Sequence, residues 1–212
     1  MNKISLLLVD DHPIVRAGYR QLLSNIAHID VLAESDSAEK ACQLYVDLKP
    51  DIVIMDLNLP GMSGLEAIRR ITSADPTAVI LAFTINDELL YLERALTTGA
   101  KGYLTKSGDP RLLLKGIEAL AAGHSFIDPI LLKKQALKEA KKKESLSRTA
   151  ELSPREFDVY NLLIKGKTSK EIADTLYLSQ KTVANYATQI KLKLGVKTIA
   201  EMSYLAQRDN DL

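Results

Sequence analysis

Four short apolar runs, each stopping at a polar or charged residue, constrain this chain more than anything else in it. Ile4-Ser-Leu-Leu-Leu-Val9 runs into Asp10-Asp11, and Pro13 then opens a helical pattern. Asp51-Ile-Val-Ile-Met-Asp56 repeats the motif about 45 residues on, Ala78-Val-Ile-Leu-Ala-Phe83 ends on Thr84, and Gly102-Tyr-Leu104 stops just short of Lys106. Continuous apolar runs alternating with helical periodicity are what a parallel sheet covered on both faces requires. The ends of its strands then share one edge, where open α/β folds build their sites. Three acids, a hydroxyl and a lysine on one edge make a cation-loaded phosphate site.

The periodicity predicts strands near 4–9, 30–34, 51–56, 78–83 and 101–104, and helices near 13–26, 37–48, 63–74, 87–98 and 109–122. Five βα units in about 125 residues fit a five-stranded, doubly wound α/β domain. From Leu152 onward the period is helical throughout. Ser153-Pro-Arg-Glu156 is a capping box with Pro at the first helical position, and Gly166 ends that helix. Thr168 or Ser169 caps a helix to about Leu176, Ser179 caps one from Gln180 to Leu194, and Thr198 opens a last one to about Gln207. The expected organisation is therefore an α/β domain over 1–124, a basic and partly helical linker over 125–149, and a small all-α domain over 150–212.

Composition excludes several classes. The single Cys42 rules out a disulfide framework within the chain. No apolar run approaches the roughly 20 residues needed to span a bilayer, and Lys3 is followed by too few apolar residues for a signal peptide. No membrane partner is expected, and the expected location is the cytoplasm. The net charge of +1 hides an uneven distribution: residues 1–127 hold 12 Lys/Arg against 16 Asp/Glu, whereas 165–197 hold seven lysines against only Glu171 and Asp174. A basic island on a balanced domain points to nucleic acid.

Asp10, Asp11 and Asp56 brought together would repel one another unless a cation sits among them. Hard carboxylate oxygens with no nearby His or Cys ligands suit Mg²⁺; His12 follows the acids as the chain turns away and is expected to be structural. An Asp oxygen beside Mg²⁺ can attack a phosphoryl group in line. Thr84 can donate its hydroxyl to one phosphoryl oxygen, and Lys106 can pair with another. In the helical tail, the pair 169–176 and 180–194, joined by Tyr177-Leu-Ser179, suits a helix-turn-helix whose second helix enters the major groove. Lysines 165, 167, 170, 181, 191 and 193 surround it and suit phosphate contacts.

Asp10-Asp11, Met55-Asp-Leu-Asn-Leu-Pro-Gly-Met-Ser-Gly64, Thr84 and Gly102-Tyr-Leu-Thr-Lys106 together resemble the receiver domain of two-component response regulators, over residues 4 to about 122. The resemblance implies that Asp56 accepts a phosphoryl group from a sensor histidine kinase. It further implies that Asp11 and Asp56 bind Mg²⁺ directly, Asp10 acts through water, and the Asn58 backbone carbonyl completes the protein ligands. Thr84 and Tyr103 match the family's switch pair. Ser107 departs from the Pro that many receivers carry after the lysine.

Leu152-Ser-Pro-Arg-Glu156, Lys170-Glu-Ile-Ala173, Ser179-Gln-Lys-Thr-Val183 and Lys193-Leu-Gly-Val196 resemble the LuxR-type helix-turn-helix, so the chain as a whole resembles NarL/FixJ-type response regulators. That resemblance implies base reading by Ala184, Asn185 and Thr188, and phosphate holding by Lys181, Thr182 and Lys191, with Lys170 and Ser179 beside them. It also implies promoter DNA as a partner, a homodimer through the last helix on phosphorylation, and RNA polymerase as a candidate further partner. Many relatives carry Lys where Ala184 stands; Ala can touch only a thymine methyl, whereas Asn185 can pair bidentately with adenine. The expected function is phosphorylation-dependent transcription control, with catalysis confined to the protein's own phosphoryl transfer and dephosphorylation.

Two rivals stand beside that reading. An aspartyl-nucleophile, Mg²⁺-dependent phosphatase usually carries a second acid two residues after the nucleophile, where this chain has Asn58. The second is a protein-interaction adaptor whose helical tail binds another protein; the basic island argues against it without excluding it. A nucleotide-binding Rossmann domain is disfavoured, because the first strand leads into Asp-Asp-His-Pro rather than a Gly-rich turn.

Overall fold

A computed structural model describes residues 3–139 and 148–209, in two compact units that divide between Leu137 and Lys138. In the first unit, strands β1 (Ile4–Val9), β2 (Ile29–Ser35), β3 (Ile52–Met55), β4 (Ile80–Thr84) and β5 (Gly102–Thr105) alternate with helices α1 (Pro13–Ser24), α2 (Ala38–Leu48), α3 (Gly64–Ala74), α4 (Leu89–Thr98) and α5 (Arg111–Ala121). All pairings are parallel, in the order β2-β1-β3-β4-β5. The order reverses direction at β1, which lies between β2 and β3. That is the switch point at which the ends of neighbouring strands open a crevice.

Alternation within the apolar runs assigns the two faces. Leu6, Leu8, Ile52, Ile54, Leu81, Phe83 and Leu104 form one cluster with Leu23 of α1 and Leu113, Ile117 and Leu120 of α5. Residues of the other parity, Leu7, Val53, Met55 and Ala82, are equally buried, so both faces of the sheet are covered. Each such side chain contributes about 1.5–3 kcal/mol by burial. The sheet is thereby rigid enough to hold charged groups at its edge.

The sheet has a sixth strand that periodicity did not predict. Phe126–Ile127 forms β6, paired in parallel with β5 through Gly102↔Phe126 and Tyr103↔Ile127. Two residues are too few to show an alternation. Their approach depends on Gly102: a Cβ there would lie 2.9 Å from the Phe126 carbonyl oxygen. Helix α6 (Pro129–Glu139) follows, with Leu131 fully buried. Residues 125–137, expected to begin a linker, are thus part of the first unit. Residues 140–147, where that linker was expected to loosen, lie outside the described residues.

The second unit holds a 3-10 turn (Arg148–Glu151) and helices α7 (Pro154–Ile164), α8 (Ser169–Leu176), α9 (Gln180–Leu194) and α10 (Ile199–Asp209). Its helix starts are determined by side chains. Ser153 and Glu156 form the expected capping box, and Thr168, rather than Ser169, caps α8 in a second box with Glu171. The Ser179 hydroxyl accepts from the Thr182 amide, 3.0 Å away, at the head of α9. Phe157, Tyr160, Leu163, Ile172, Val183, Ile190 and Met202 form a buried set contributed by all four helices. Among the described residues, no helix is long and apolar enough to cross a membrane.

Candidate functional site

Register brings the strand ends together. Val9 faces Met55, Met55 faces Ala82, and Thr84 faces Thr105, so Asp10, Asp56, Thr84 and Lys106 emerge side by side. Asp10 and Asp56 are each only 2% exposed. The Lys106 ammonium lies between them, its Nζ 2.6 Å from Asp10 Oδ2 and 2.5 Å from Asp56 Oδ2. Two buried carboxylates this close cannot both stay ionised without such a partner.

Burial pushes the Asp56 carboxyl above its ordinary range. Lys106 and the Asn58 amide, which donates to Asp56 Oδ1 over 3.1 Å, hold the rise back, while Asp10 adds to it. For Lys106, burial favours the neutral amine, but Asp56 and Asp10 outweigh it and leave its pKa raised. Lys106 is thereby held as a cation between the two carboxylates.

One oxygen from each of Asp10, Asp11 and Asp56, with a ring nitrogen of His12, lies within a 4.8 Å span. Asp11 Oδ1 is buried and accepts no hydrogen bond, although His12 Nδ1 stands 2.8 Å from it. A buried carboxylate oxygen lacking a hydrogen bond is costly unless something binds it. With hard oxygen donors around it, a small divalent cation fits. His12 is where sequence reasoning misplaced a residue: its ring borders the acids, and its amide donates to Asp10 Oδ1 over 2.9 Å.

Thr84 and Tyr103 are both fully buried, and Asn86 joins them. Its side-chain amide donates to Thr84 Oγ1 (3.3 Å) and to Asn58 Oδ1 (3.1 Å), and its carbonyl accepts from the Tyr103 hydroxyl (2.9 Å). Burial raises the Tyr103 phenol well above its ordinary value, so it stays a donor. Asn86 was missed in the sequence because Ile85-Asn-Asp87 reads as an ordinary polar turn. Gly64 was noted only as part of a motif. A Cβ at that position would lie 2.0 Å from the Asp56 carbonyl oxygen, so only glycine lets α3 start against the acid's own backbone.

In the second unit, α8 and α9 occupy the expected spans, joined by Tyr177-Leu178-Ser179. Val183 and Ile190 are buried on one side of α9, while Lys181, Ala184, Asn185 and Thr188 are exposed at the i, i+3, i+4, i+7 spacing of a single helical stripe. Thr182 and Lys191 flank it half-buried, and Ser179 and Lys170 are exposed near the helix starts. The six lysines divide unevenly. Lys193 Nζ lies 2.5 Å from Glu156 Oε2, and Lys167 lies 3.1 Å from Glu171. Those two serve helix ends inside the unit. Among the described residues, Lys170, Lys181 and Lys191 make no ion pair.

Residues 6–118 match the model of the response regulator receiver domain, and residues 150–206 match that of the bacterial regulatory proteins of the luxR family. The chain belongs to the response regulators. It is 34% identical over 205 residues to the response regulator GacA of Pseudomonas viridiflava, covering 97% of this chain and 96% of that protein. With the response regulator UvrY of Escherichia coli (strain K12) it shares 34% identity over 205 residues, covering 97% and 94%. Among solved structures, RcsB from Salmonella enterica serovar Typhimurium, bound to promoter rprA in the presence of the phosphomimetic BeF3−, is similar to it at 28% identity. The likeness covers 96% of this chain and 98% of that one, with a TM-score of 0.65. A LuxR-family two-component response regulator from Aurantimonas sp. SI85-9A1 shares 42% identity, covering 66% of this chain and 99% of that one, with a TM-score of 0.64. This response regulator therefore joins a receiver to a LuxR-type DNA-binding domain and acts in two-component transcription regulation. It is a regulator rather than a classical enzyme.

Proposed function

We infer that Asp56 is the phosphoacceptor and that its modification by a sensor histidine kinase controls DNA binding by α9. The observation that carries this is a buried carboxylate paired to Lys106, next to a second buried carboxylate oxygen, on Asp11, that accepts no hydrogen bond. An Asp56 oxygen attacks phosphorus as the bond from phosphorus to the donor's histidine nitrogen breaks. The product is an aspartyl phosphate, and the leaving imidazole keeps the electron pair and takes up a proton. Asp11 and Asp56 would hold Mg²⁺ directly, with Asp10 through water and the Asn58 backbone carbonyl. When bound, Mg²⁺ supplies charge neutralisation on the transferring oxygens. Lys106, already within contact of Asp56, pairs with one phosphoryl oxygen, and the Thr84 hydroxyl donates to another.

The added charge of about −2 draws Thr84 toward Asp56. Because Asn86 ties Thr84 to Tyr103, that movement reaches the aromatic ring, which is how a local charge shifts the balance between two receiver conformations. In the other unit, Ala184, Asn185 and Thr188 face base edges, while Lys170, Ser179, Lys181, Thr182 and Lys191 hold phosphates. A single small domain makes few contacts, so dimerisation through α10 is the lever on affinity. RNA polymerase is the natural further partner of a promoter-bound regulator. Two observations on relatives support DNA binding and dimerisation: the solved RcsB complexes include one with promoter rprA and one of two dimers bound to two parallel DNAs.

The coupling is tested with Thr84→Ala. The metal site and nucleophile remain, so the variant should accept label from a small acyl phosphate, yet gain less affinity for its DNA when labelled. An affinity gain equal to the wild type's would remove Thr84 from the switch.

A further inference from the structure

Among the described residues of the first unit, one buried carboxylate lies outside the acid pocket. Asp128, between β6 and α6, is fully buried. Among the described residues no cation pairs with it, and hydrogen-bond donors meet its charge. Its Oδ1 accepts from the Ile130 amide (2.9 Å) at the head of α6. Its Oδ2 accepts from both the amide (3.2 Å) and the hydroxyl (2.6 Å) of Thr105, and its own amide donates to the Tyr103 carbonyl (2.8 Å). Capping a helix needs only the first of these bonds. The second oxygen grips the last residue of β5, immediately before Lys106. The Lys106 amide in turn donates to the Thr84 carbonyl over 2.7 Å. A second tie lies further along α6: Lys134 Nζ reaches both the carbonyl (3.1 Å) and the carboxylate (2.9 Å) of Asp87, the neighbour of Asn86.

We propose that Asp128 is a positioning residue that couples α6 to the phosphoacceptor site, holding Thr105 and through it the backbone from which Lys106 reaches Asp10 and Asp56. This rests on the reading of Asp56 as phosphoacceptor. Two ties from one helix converge beside the acceptor, on β5 at Thr105 and on the loop after β4 at Asp87, the residue next to Asn86. The chain that follows α6 leads, in sequence, to the DNA-binding unit. Coupling between sites is reciprocal: a change at Lys106 alters the docking of α6, and a change in α6 alters the aim of Lys106. The Lys134–Asp87 pair is exposed and contributes little alone; the buried Asp128 carries the link.

The test uses the full chain, acetyl phosphate and Mg²⁺, with intact mass to follow label and amide hydrogen exchange to follow residues 129–139. In the wild type, labelling should change exchange in α6 by about five-fold or more, the lower end of ordinary coupling energies. Thr105→Val keeps the cap bond to Ile130 and so should keep α6 protected before labelling. It should lose most of the label-dependent change and alter the labelling rate several-fold. Thr105→Ser restores the hydroxyl and should restore both. Asp128→Asn should weaken the response in the same direction. A merely structural Asp128 predicts a Thr105→Val protein with the wild-type response and labelling rate, and that result overturns the proposal. Label on the wild type with no response in α6 overturns it alone; no label at all sinks the phosphoacceptor reading with it.

Discussion

The receiver and the helix-turn-helix unit keep the residues proposed to carry their function in opposite environments. In the receiver, Asp10, Asp56, Thr84 and Tyr103 are buried; Lys106 bridges the two carboxylates, and Asn86 bonds to both Thr84 and Tyr103. In the helical unit, Lys170, Lys181, Asn185 and Thr188 are exposed. Burial makes every charge in the receiver depend on its neighbours, so one added phosphoryl group disturbs all of them. Exposure leaves the cations proposed to hold DNA phosphates free to exchange counterions for them. A site built to change state is interior and interlocked, whereas a site built to read another molecule is a set of separable contacts.

The same substitution in each unit breaks this comparison most sharply. Gly64→Ala places a Cβ against the Asp56 carbonyl oxygen and should cost about 3 kcal/mol, with loss of phosphoacceptor activity. Gly195→Ala, at the left-handed C-cap of α9 (φ +67°) with nothing within 4 Å, should cost only about 1–2 kcal/mol. Denaturant unfolding of the two variants checks the order. Equal costs would mean that the approach of α3 to Asp56 is not tight.

Separability of the DNA contacts is the next point to test. Asn185→Ala should cost about 1–3 kcal/mol on a preferred duplex and relax specificity at one base pair. Lys181→Ala should weaken preferred and random duplexes alike and reduce the salt slope by about 1. Titrations of both variants across a salt series decide this. An Asn185→Ala protein weakened equally on both duplexes would show that α9 does not read bases there.

These differences also governed what was legible in the sequence. An ionisable residue closing an apolar run is anomalous, so Asp10, Asp56 and Lys106 stood out, and register alone gathered them. The spans of α8 and α9 were legible because Thr168, Ser179 and Gly195 mark their ends chemically. Asn86 and Asp128 were not: each is a residue type common in turns, and its importance arises from partners 28 and 23 residues away. β6 was hidden because its pairing depends on the absence of a side chain at Gly102. His12 was expected to follow the chain away from the acids, but its ring turns back to stand 2.8 Å from Asp11 Oδ1.

The smallest expected effect concerns acid. Hydrogen bonds from the Thr168 amide and hydroxyl, with Lys167 beside them, hold Glu171 down to about 2 from 4.5. A depressed carboxylate stabilises the folded state above its unfolded value, and that stability is lost as pH falls through the folded one. The helical unit should therefore weaken between about pH 4.5 and 2, and Glu171→Gln should flatten that part of the profile in acid titration followed by circular dichroism. A profile unchanged by the substitution would show that the capping carboxylate contributes nothing.

The claim on which all of this depends is that Asp56 is the reactive group. Incubation with a small acyl phosphate, followed by intact-mass measurement, addresses it directly. One phosphoryl group should be added to the wild type when Mg²⁺ is present, little without it, and none to Asp56→Asn. Labelling of Asp56→Asn to the wild-type extent would contradict the account.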